Sequence, residues 1–405
     1  MMSVITLHAN FAGALRSQNL HFKFEGEYGL WVQERNGKLE FHWITAAADS
    51  GFLQVVTNGV RTQRFTTPFA QAHRVDIAST QSKSLVIEYG GLSQDAERHQ
   101  TTVYLDPKRS PVNISNVDSI FVVSDIHGQF DNLVQLLTNA KLIDSNLSWI
   151  ARRNHLVIIG DIFDRGPDVT RTLWFLHQLE GQAERSGGRL HLLLGNHEIM
   201  TFCNDVRYLS GKEKSIAELY ATDYTNMFDI QNSILGRWLA SKPGILKVDA
   251  VLFAHGGITP AYTGFTIESF NDTLFKLLHE NNFKYLLDDS IAAIKMDSVS
   301  YGTRLLFFFD DNSVFWYRGY VVSDSLDKEL TKALKKFKSA IHVVGHTPVP
   351  TISAFYDGRL VAVNTINFAS EMLLLVRTGK KHYVKFKYNL NGEVLPVERD
   401  EDIRR

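Results

Sequence analysis

Residues 120–137 read IFVVSDIHGQFDNLVQLL and combine a strand, a turn and a helix in one short stretch. The apolar run that opens it has the length and bulk of a buried strand. Apolar residues then recur at helical spacing on one face, at Phe130, Leu133, Val134 and Leu137. Between the two elements stands Asp125-Ile126-His127-Gly128. The stretch therefore predicts a βα unit with a carboxylate and an imidazole at the carboxyl end of its strand.

The same strand-then-loop unit recurs downstream. Leu156–Ile159 leads into Gly160-Asp161-Ile162-Phe163-Asp164-Arg165-Gly166, and Leu190–Leu194 leads into Gly195-Asn196-His197-Glu198. Asp125 to Asp161 is an interval of 36 residues and Asp161 to Asn196 one of 35, which suits successive βαβ crossovers. Two later apolar runs end in further polar loops, His255-Gly256-Gly257 and Gly345-His346-Thr347. Because ligands gather at the carboxyl ends of strands in α/β sheets, we expect these loops to converge.

The loops share a chemistry suited to metals and phosphate. Carboxylate and amide oxygens mixed with imidazoles fit Mn, Fe or Zn, whereas Mg and Ca prefer all-oxygen sites. Arg165 and Arg318 add planar, permanently charged forks that match phosphate oxygens. The pattern predicts a dinuclear metal site and a phosphoesterase reaction.

The motifs also resemble a known family. The series DIHG, GDIFDRG, GNHE, HGG and GHT resembles the metallophosphoesterase superfamily, and DRG followed by GNHE resembles its phosphoprotein phosphatase (PPP) family. The longer stretches SDIHGQFDNLVQLL, GDIFDRGPDVTRTLWFLHQL, WYRGY and HVVGHT are similar to the bacterial-type Shewanella-like phosphatases, a branch that includes a protein-tyrosine phosphatase. The resemblance spans about Ser119 to Val376. It implies a four-layer α/β/β/α calcineurin-like fold.

The resemblance implies specific roles for the loop residues. Asp125 and His127 would bind a first metal, and Asp161 would bridge both metals. A bridging ligand must be a carboxylate, because it has to offset two cations held about 3.5–4 Å apart. The second metal would be completed by Asn196, His255 and His346. A hydroxide bridging the metals would then attack phosphorus in line, with no covalent enzyme intermediate.

Further roles concern the leaving group and the phosphate. His197 would protonate the leaving oxygen, with Asp164 holding its imidazole and raising its pKa. Arg165, Arg318 and Asn196 would bind the substrate phosphate, although Asn312–Phe315 departs from the Gly-Pro turn usual before WYRG. Aromatic surface for a phosphotyrosyl ring could come from Trp316, Tyr317 and Phe202, or these rings could belong to the core. Arg304 is a weaker candidate anion contact. Histidines outside the motifs are expected to be structural: His155, His177, His191 and His342.

The first hundred residues follow a different pattern. Leu39, Phe41 and Trp43 alternate with polar residues, the two-residue period of a half-buried strand. Asn36-Gly37 and Asn58-Gly59 are hairpin turns by type, because both residue types tolerate positive φ. We therefore predict a smaller all-β sandwich with a proline-bracketed linker over residues 1–113, followed by a catalytic domain over residues 114–405.

Composition narrows the class of protein. The formal net charge of −1 and a pI near 7.0 over 405 residues give no field for attracting nucleic acid or anionic membrane. The lone Cys203 cannot form an internal disulfide, and its spacing to Arg207 is too short for the C-x5-R loop of cysteine-based tyrosine phosphatases. Met1–Leu15 lacks a basic start and is a poor signal peptide. A cytoplasmic location is expected, or a periplasmic one if a signal has been removed; oligomeric state stays open.

The sequence thus predicts a metal-dependent phosphomonoester hydrolase, a phosphoprotein phosphatase that favours phosphotyrosine. Its substrates would be phosphorylated peptides or small phosphoesters, and its cofactors two divalent metals. One alternative is a dinucleoside polyphosphate hydrolase of the diadenosine tetraphosphate type, which shares the motifs. Another, from a different class, is a binding or scaffolding protein that acts through its β-sandwich.

Overall fold

A computed structural model describes residues 29–280 and 283–399. Its strands, β1 to β18 in chain order, are Trp31–Arg35, Lys38–Thr57, Val60–Ala78, Ser84–Gly91, Arg98–Tyr104, Asn113–Ile114, Ser119–Val123, His155–Ile159, Arg189–Leu193, Ile245–Val248, Val251–Ala254, Ile341–Val344, Ser353–Phe355, Leu360–Ala362, Glu371–Gly379, His382–Asn389, Val394–Pro396 and Glu398–Arg399. Its helices, α1 to α10, are Phe130–Asn139, Val169–Arg185, Asn196–Phe202, Gly211–Leu219, Ile234–Ala240, Ile267–His279, Asp289–Lys295, Ser298–Phe309, Gly319–Val322 and Asp327–Lys336.

Two mixed sheets form the centre of the catalytic region. One has six strands in the order β17-β16-β15-β7-β8-β9, with β7, β8 and β9 parallel. The other has seven strands in the order β18-β13-β14-β12-β11-β10-β6, with β11, β12 and β14 parallel. The predicted crossovers are present, because α1 separates β7 from β8 and α2 separates β8 from β9.

Successive side chains along the buried strands pack alternately on the two faces of each sheet, which produces the layers of the fold. In β7, Ile120 and Val122 join a core shared with residues of the other sheet, whereas Phe121 and Val123 join the core beneath the helices. Val343 of β12 likewise lies between the sheets, and its neighbour Val344 packs with Leu330 of α10. Since successive side chains of a strand point to opposite faces, each sheet contacts its partner on one face and helices on the other. The predicted α/β/β/α arrangement is confirmed.

The N-terminal region is an antiparallel sheet, as expected for the all-β part. Both predicted turns are present: Asn36 and Gly37 have φ of 51° and 71°, and Asn58 and Gly59 have φ of 51° and 76°. All five strands hydrogen-bond into one sheet rather than two, because the long β2 pairs with β1, β3 and β4 in turn. The register shifts at irregularities between Ile44 and Asp49.

This sheet contacts the catalytic region directly. The indole of Trp174 on α2 donates to the carbonyl of Leu30 at 2.6 Å, and Arg237 on α5 pairs with Glu34 at 3.0 Å. The short strand β6 at Asn113–Ile114 pairs with β10, so the chain enters the seven-stranded sheet at the proposed domain boundary. Within the described ranges, no helix is both long and apolar enough to cross a membrane.

Candidate metal-dependent active site

The polar loops identified in the sequence meet at one edge of the two sheets. Each site residue follows the carboxyl end of a parallel strand: Asp125 after β7, Asp161 after β8, Asn196 after β9, His255 after β11 and His346 after β12. All five side chains are buried, at 5% exposure or less. The expected convergence of the polar loops is therefore present, and it buries carboxylates and imidazoles close to one another.

Several of these loops hold non-glycine residues in the left-handed region. Site residues with φ between 47° and 71° are Asp125, His127, Asp161, Asp164, Arg165 and His346. Such conformations cost on the order of 1–3 kcal/mol each and persist where the surrounding structure enforces them for function. Position 195 requires glycine for a different reason. The Cβ of any other residue there would lie 2.2 Å from Asp161 Oδ1.

Two groups of side chains could each hold a metal ion. One contains His127, Asp161 and His197, and the other contains Asp161, His255 and His346, with the ligand atoms of each group within 4.8 Å of one another. Asp161 belongs to both, which is the geometry a bridging carboxylate requires. His255 Nε2 lies 3.1 Å from Asp161 Oδ2 and 2.9 Å from Asn196 Oδ1, so Asn196 joins the second group.

Backbone carbonyls hold Nδ1 of two site imidazoles, so that Nε2 of each faces the other site residues. His127 Nδ1 donates to the carbonyl of Phe163 at 2.6 Å, and His255 Nδ1 donates to that of Ile159 at 2.7 Å. Anchoring Nδ1–H in this way fixes the tautomer that presents Nε2 to a metal. His346 Nε2 is buried without a hydrogen-bonding partner among the described residues. These donors fit divalent cations held between them.

Asp125 lies beside both groups rather than in either. Its Oδ2 accepts the backbone N–H of His346 at 3.0 Å and the hydroxyl of Ser124. Burial, partly offset by His255 and reinforced by Asp161, raises the pKa of Asp125 to about 7. A carboxyl group held this way out of water becomes a stable carboxylate when a cation lies nearby.

His197 and Asp164 form a short hydrogen bond within the site. His197 Nδ1 lies 2.5 Å from Asp164 Oδ2, and both side chains are buried. Burial alone would lower the pKa of His197, but the charge of Asp161 and the bond and charge of Asp164 outweigh it and raise that pKa. The imidazole is therefore stabilised as a proton donor next to the metal-binding groups.

The two arginines contact different residues at the site. Arg165 is exposed, and its guanidinium carbon lies 5.5 Å from the ring centroid of Tyr208 and 5.4 Å from that of Phe368. Arg318 is also exposed and donates from Nη1 to the carbonyl of His346 at 3.2 Å. No ion pair engages either guanidinium in the part of the chain that the structure describes, so both are free to bind an anion.

Glu198 is a positioning residue whose role the motif alone did not reveal. Its buried carboxylate accepts the backbone N–H groups of Gly195 and Asp161 on Oε2, at 2.7 and 2.8 Å, and that of Ile162 on Oε1 at 2.8 Å. It therefore ties the Asp161 loop to the Asn196 loop. The sequence signal was a glutamate at the third position of α3, where a side chain can bond back to the cap.

The aromatic surface differs from the predicted one. Trp316 contacts the ring of His346, with centroids 5.6 Å apart, but Phe202 is buried in the core and Tyr317 packs on Tyr320. The rings beside Arg165 are instead Tyr208 and Phe368, from loops without a motif. Arg304, the weaker anion candidate, is engaged by Glu280.

Comparisons with known proteins agree with this geometry. The family model for calcineurin-like phosphoesterases matches residues 119–350. Shewanella-like protein phosphatase 1 of Plasmodium berghei is 30% identical over 259 residues, which cover 62% of this chain and 68% of that relative. The crystal structure of the cold-active protein-tyrosine phosphatase of a psychrophilic Shewanella species superposes with a TM-score of 0.70 at 26% identity, covering 91% of this chain and 99% of that one.

A further relative is more distant. The symmetrical bis(5′-nucleosyl)-tetraphosphatase of Buchnera aphidicola is 28% identical over 172 residues, covering 42% of this chain and 55% of that relative. Fold, buried donors and these likenesses together define a metal-dependent phosphatase of the dinuclear type. The chain belongs to the calcineurin-like metallophosphoesterase family and, within it, to the Shewanella-like branch of the phosphoprotein phosphatases.

Proposed function

We propose that this phosphatase hydrolyses phosphomonoesters on proteins and favours phosphotyrosine over phosphoserine. The observation that carries the proposal is the contact of the Arg165 guanidinium with two aromatic rings, those of Tyr208 and Phe368. Each ring also contacts a site imidazole: Tyr208 lies 5.4 Å from His197 and Phe368 lies 4.6 Å from His127, centroid to centroid. If Arg165 binds the phosphate of a substrate, the organic group of that substrate would therefore lie against the rings of Tyr208 and Phe368.

A tyrosyl ring gains more from such faces than a seryl methylene does. Aromatic pairs contribute about 0.5–1.5 kcal/mol beyond area burial, enough for roughly a tenfold preference without exclusion of other phosphoesters. Tyr208 is 46% exposed and Phe368 is half-buried, so both retain surface for a substrate. The Shewanella neighbour, a protein-tyrosine phosphatase by its description, supports the same preference.

The proposed metal ligands are those of the converging loops. Asp125, His127 and Asp161 would hold the first cation, and Asp161 with Asn196, His255 and His346 the second. When bound, two divalent cations acidify a water and neutralise phosphate charge. Mn is the proposed metal for reconstitution, because mixed oxygen and imidazole donors suit it.

The chain's own side chains account for the remaining chemistry. Arg165 and Arg318 would bind phosphate oxygens and orient the ester, with Asn196 as a further contact. Proton delivery to the leaving oxygen falls to His197 Nε2, since its Nδ1 is held by Asp164. Glu198 keeps the Asp161 and Asn196 loops in register and touches no substrate.

The test compares matched peptides on the Mn-reconstituted full chain. Several sequences would each be synthesised with phosphotyrosine and with phosphoserine, and kcat/KM measured for both. We expect phosphotyrosine peptides to be hydrolysed about tenfold faster, with neither class inactive. A phosphoserine preference across the pairs would contradict the proposed specificity while leaving the phosphatase assignment intact.

Diadenosine tetraphosphate serves as the comparator for the second candidate, because relatives of the bis(5′-nucleosyl)-tetraphosphatase type align with part of the chain. We expect its turnover to be well below that of the phosphotyrosine peptides. Efficient cleavage of the tetraphosphate without turnover of any phosphopeptide would overturn the protein phosphatase proposal in favour of that hydrolase.

A further inference from the structure

A second cavity lies away from the active site, with a volume of about 440 Å³. Its walls come from Tyr104 at the end of the N-terminal sheet, the linker at residues 106–111, the second half of α2, and β9. Arg189, the first residue of β9, lines it, whereas the metal-binding loops follow the opposite, carboxyl ends of β8 and β9. The sheet therefore separates this cavity from the catalytic loops.

A buried histidine lies in the wall of this cavity. His177 is 1% exposed, and both of its ring nitrogens are shielded from solvent. Burial, followed by the charge of Lys242, lowers the pKa of its imidazole to about 3, although the backbone carbonyl of Tyr104 acts in the opposite direction. The ring is thus neutral and adds no charge to the lining.

Aromatic rings surround this imidazole. The ring centroids of Tyr104, Trp174 and Trp238 lie 5.3, 5.3 and 5.2 Å from that of His177. Tyr104 and Trp238 also line the cavity itself. Trp238 is 2% exposed, whereas Tyr104 is half-buried and keeps surface against which a flat ring can stack or make edge contacts.

The remaining lining is rich in cations. Five basic side chains face three acidic ones, and one of the acids, Glu180, is already engaged by Lys242 at 2.6 Å and by the indole of Trp238 at 2.6 Å. Arg189 is half-buried and has no ion-pair partner in the described ranges. Lys83 and Lys108 are exposed and likewise unpaired there. A half-buried guanidinium without a counter-ion is suited to a carboxylate or phosphate group.

We propose that this cavity is a second binding site, for a small organic anion that carries a flat ring and at least two ionised groups. The volume lies in the 300–1,000 Å³ range of small-molecule sites, which combine apolar walls with a few placed polar groups. The ring would pack against Tyr104, whose side chain is half-buried and lines the cavity. Arg189 and Lys108 would bind the ionised groups.

Naphthalene-1,5-disulfonate is a suitable probe, because sulfonates remain ionised and are weak ligands for divalent metals. Its binding to the metal-loaded full chain would be measured by isothermal titration calorimetry. We expect one saturable site, weakened about tenfold in Arg189→Gln by loss of one charge-assisted contact. Arg165→Gln, which alters only the active-site opening, should bind the probe as the wild type does.

A further variant and an uncharged analogue keep the test decisive. Lys108→Gln changes an exposed side chain, and it should weaken binding even if Arg189→Gln impairs folding. Naphthalene-1,5-diol, the uncharged analogue, should bind far more weakly.

Four results would overturn the proposal. Two concern the probe: no binding at millimolar concentration, or equal binding of the diol. Weakening by Arg165→Gln alone would place the probe in the active site. Binding that persists unchanged in both Arg189→Gln and Lys108→Gln would exclude this cavity as the anion site.

Discussion

His197 Nδ1 lies 2.5 Å from Asp164 Oδ2, while its Nε2 lies 3.9 Å from Asp161 Oδ2, the carboxylate shared by both metal-binding groups. One imidazole therefore connects a fixed hydrogen-bond acceptor to the centre of the site. The contact with Asp164 orients the ring and supports its proton, which leaves Nε2 as the nitrogen able to serve a leaving group.

The role of His197 can be tested by replacing it and comparing substrates with different leaving groups. We expect His197→Ala to lower kcat by roughly 10²–10⁴-fold for alkyl and peptide phosphoesters, whose leaving oxygens need a proton. The loss should be much smaller for p-nitrophenyl phosphate, whose phenolate leaves without one. Steady-state kinetics on a leaving-group series measures the difference. Equal losses across the series would show that His197 is not the general acid.

Asp161 is the residue on which the dinuclear arrangement depends. We expect Asp161→Asn to lose several orders of magnitude in kcat and to bind less metal, because an amide cannot offset two cations. Chelation should likewise abolish wild-type activity, and added Mn should restore it. Metal content by elemental analysis and folding by circular dichroism separate these effects. Near-wild-type turnover in the variant would contradict the dinuclear site, and retained biological activity would favour the scaffolding alternative.

Glu198 offers a test of loop positioning without contact to substrate. In Glu198→Gln one acceptor oxygen becomes an NH2 group facing backbone N–H donors, which should destabilise the fold by about 1–3 kcal/mol. Metal affinity should fall as well, because the Asp161 and Asn196 loops lose their common anchor. Thermal unfolding and metal titration measure the two effects. The exposed Glu268→Gln is the matched control, and equal behaviour of both variants would contradict the anchoring role.

Glu213 should give stability a dependence on pH. Burial, opposed by hydrogen bonds from Thr170, raises its pKa from 4.5 to about 7. The folded state thus holds this proton more tightly, so stability is fully present below pH 4.5 and falls as pH rises towards 7. Relative to the wild type, Glu213→Gln should gain up to about 3 kcal/mol between pH 5 and pH 8.

Denaturant unfolding at several pH values measures this difference. Glu218→Gln, an exposed change on the same helix, provides the baseline and should show no such trend. The free energy of unfolding of the wild type should fall from pH 5 to pH 8 when compared with that of Glu213→Gln. If it does not fall, Glu213 is not protonated in the folded protein.

Local sequence predicted the parts of the fold that local physics determines. The Asn36-Gly37 and Asn58-Gly59 turns followed from residues that tolerate positive φ. The four layers, in contrast, were expected from the family resemblance and not from a local pattern. The motif loops could be placed together because parallel strands end at a common edge. The single N-terminal sheet was not foreseen, since it depends on β2 changing partners along its length.

The aromatic residues beside Arg165 could not be predicted from local sequence. Tyr208 follows α3 in a connecting loop, and Phe368 lies in the loop between β14 and β15, far from any motif. Their proximity to Arg165 results from the tertiary fold, and no periodic pattern in the sequence predicts it. Trp316 was found because it adjoins Arg318 in sequence, whereas Phe202, equally close to a motif, belongs to the core.

The aromatic walls lead to the last prediction, which concerns substrate choice. Tyr208→Leu and Phe368→Leu should each reduce the ratio of phosphotyrosine to phosphoserine kcat/KM, by about threefold to tenfold for the loss of one aromatic contact. Tyr208→Phe retains the ring and should retain the ratio, which makes it the matched control. The measurement is kcat/KM on the paired peptides. Since the same rings flank Arg165, a fall of equal size for both peptides would show that they only hold the guanidinium and do not contact the tyrosyl ring.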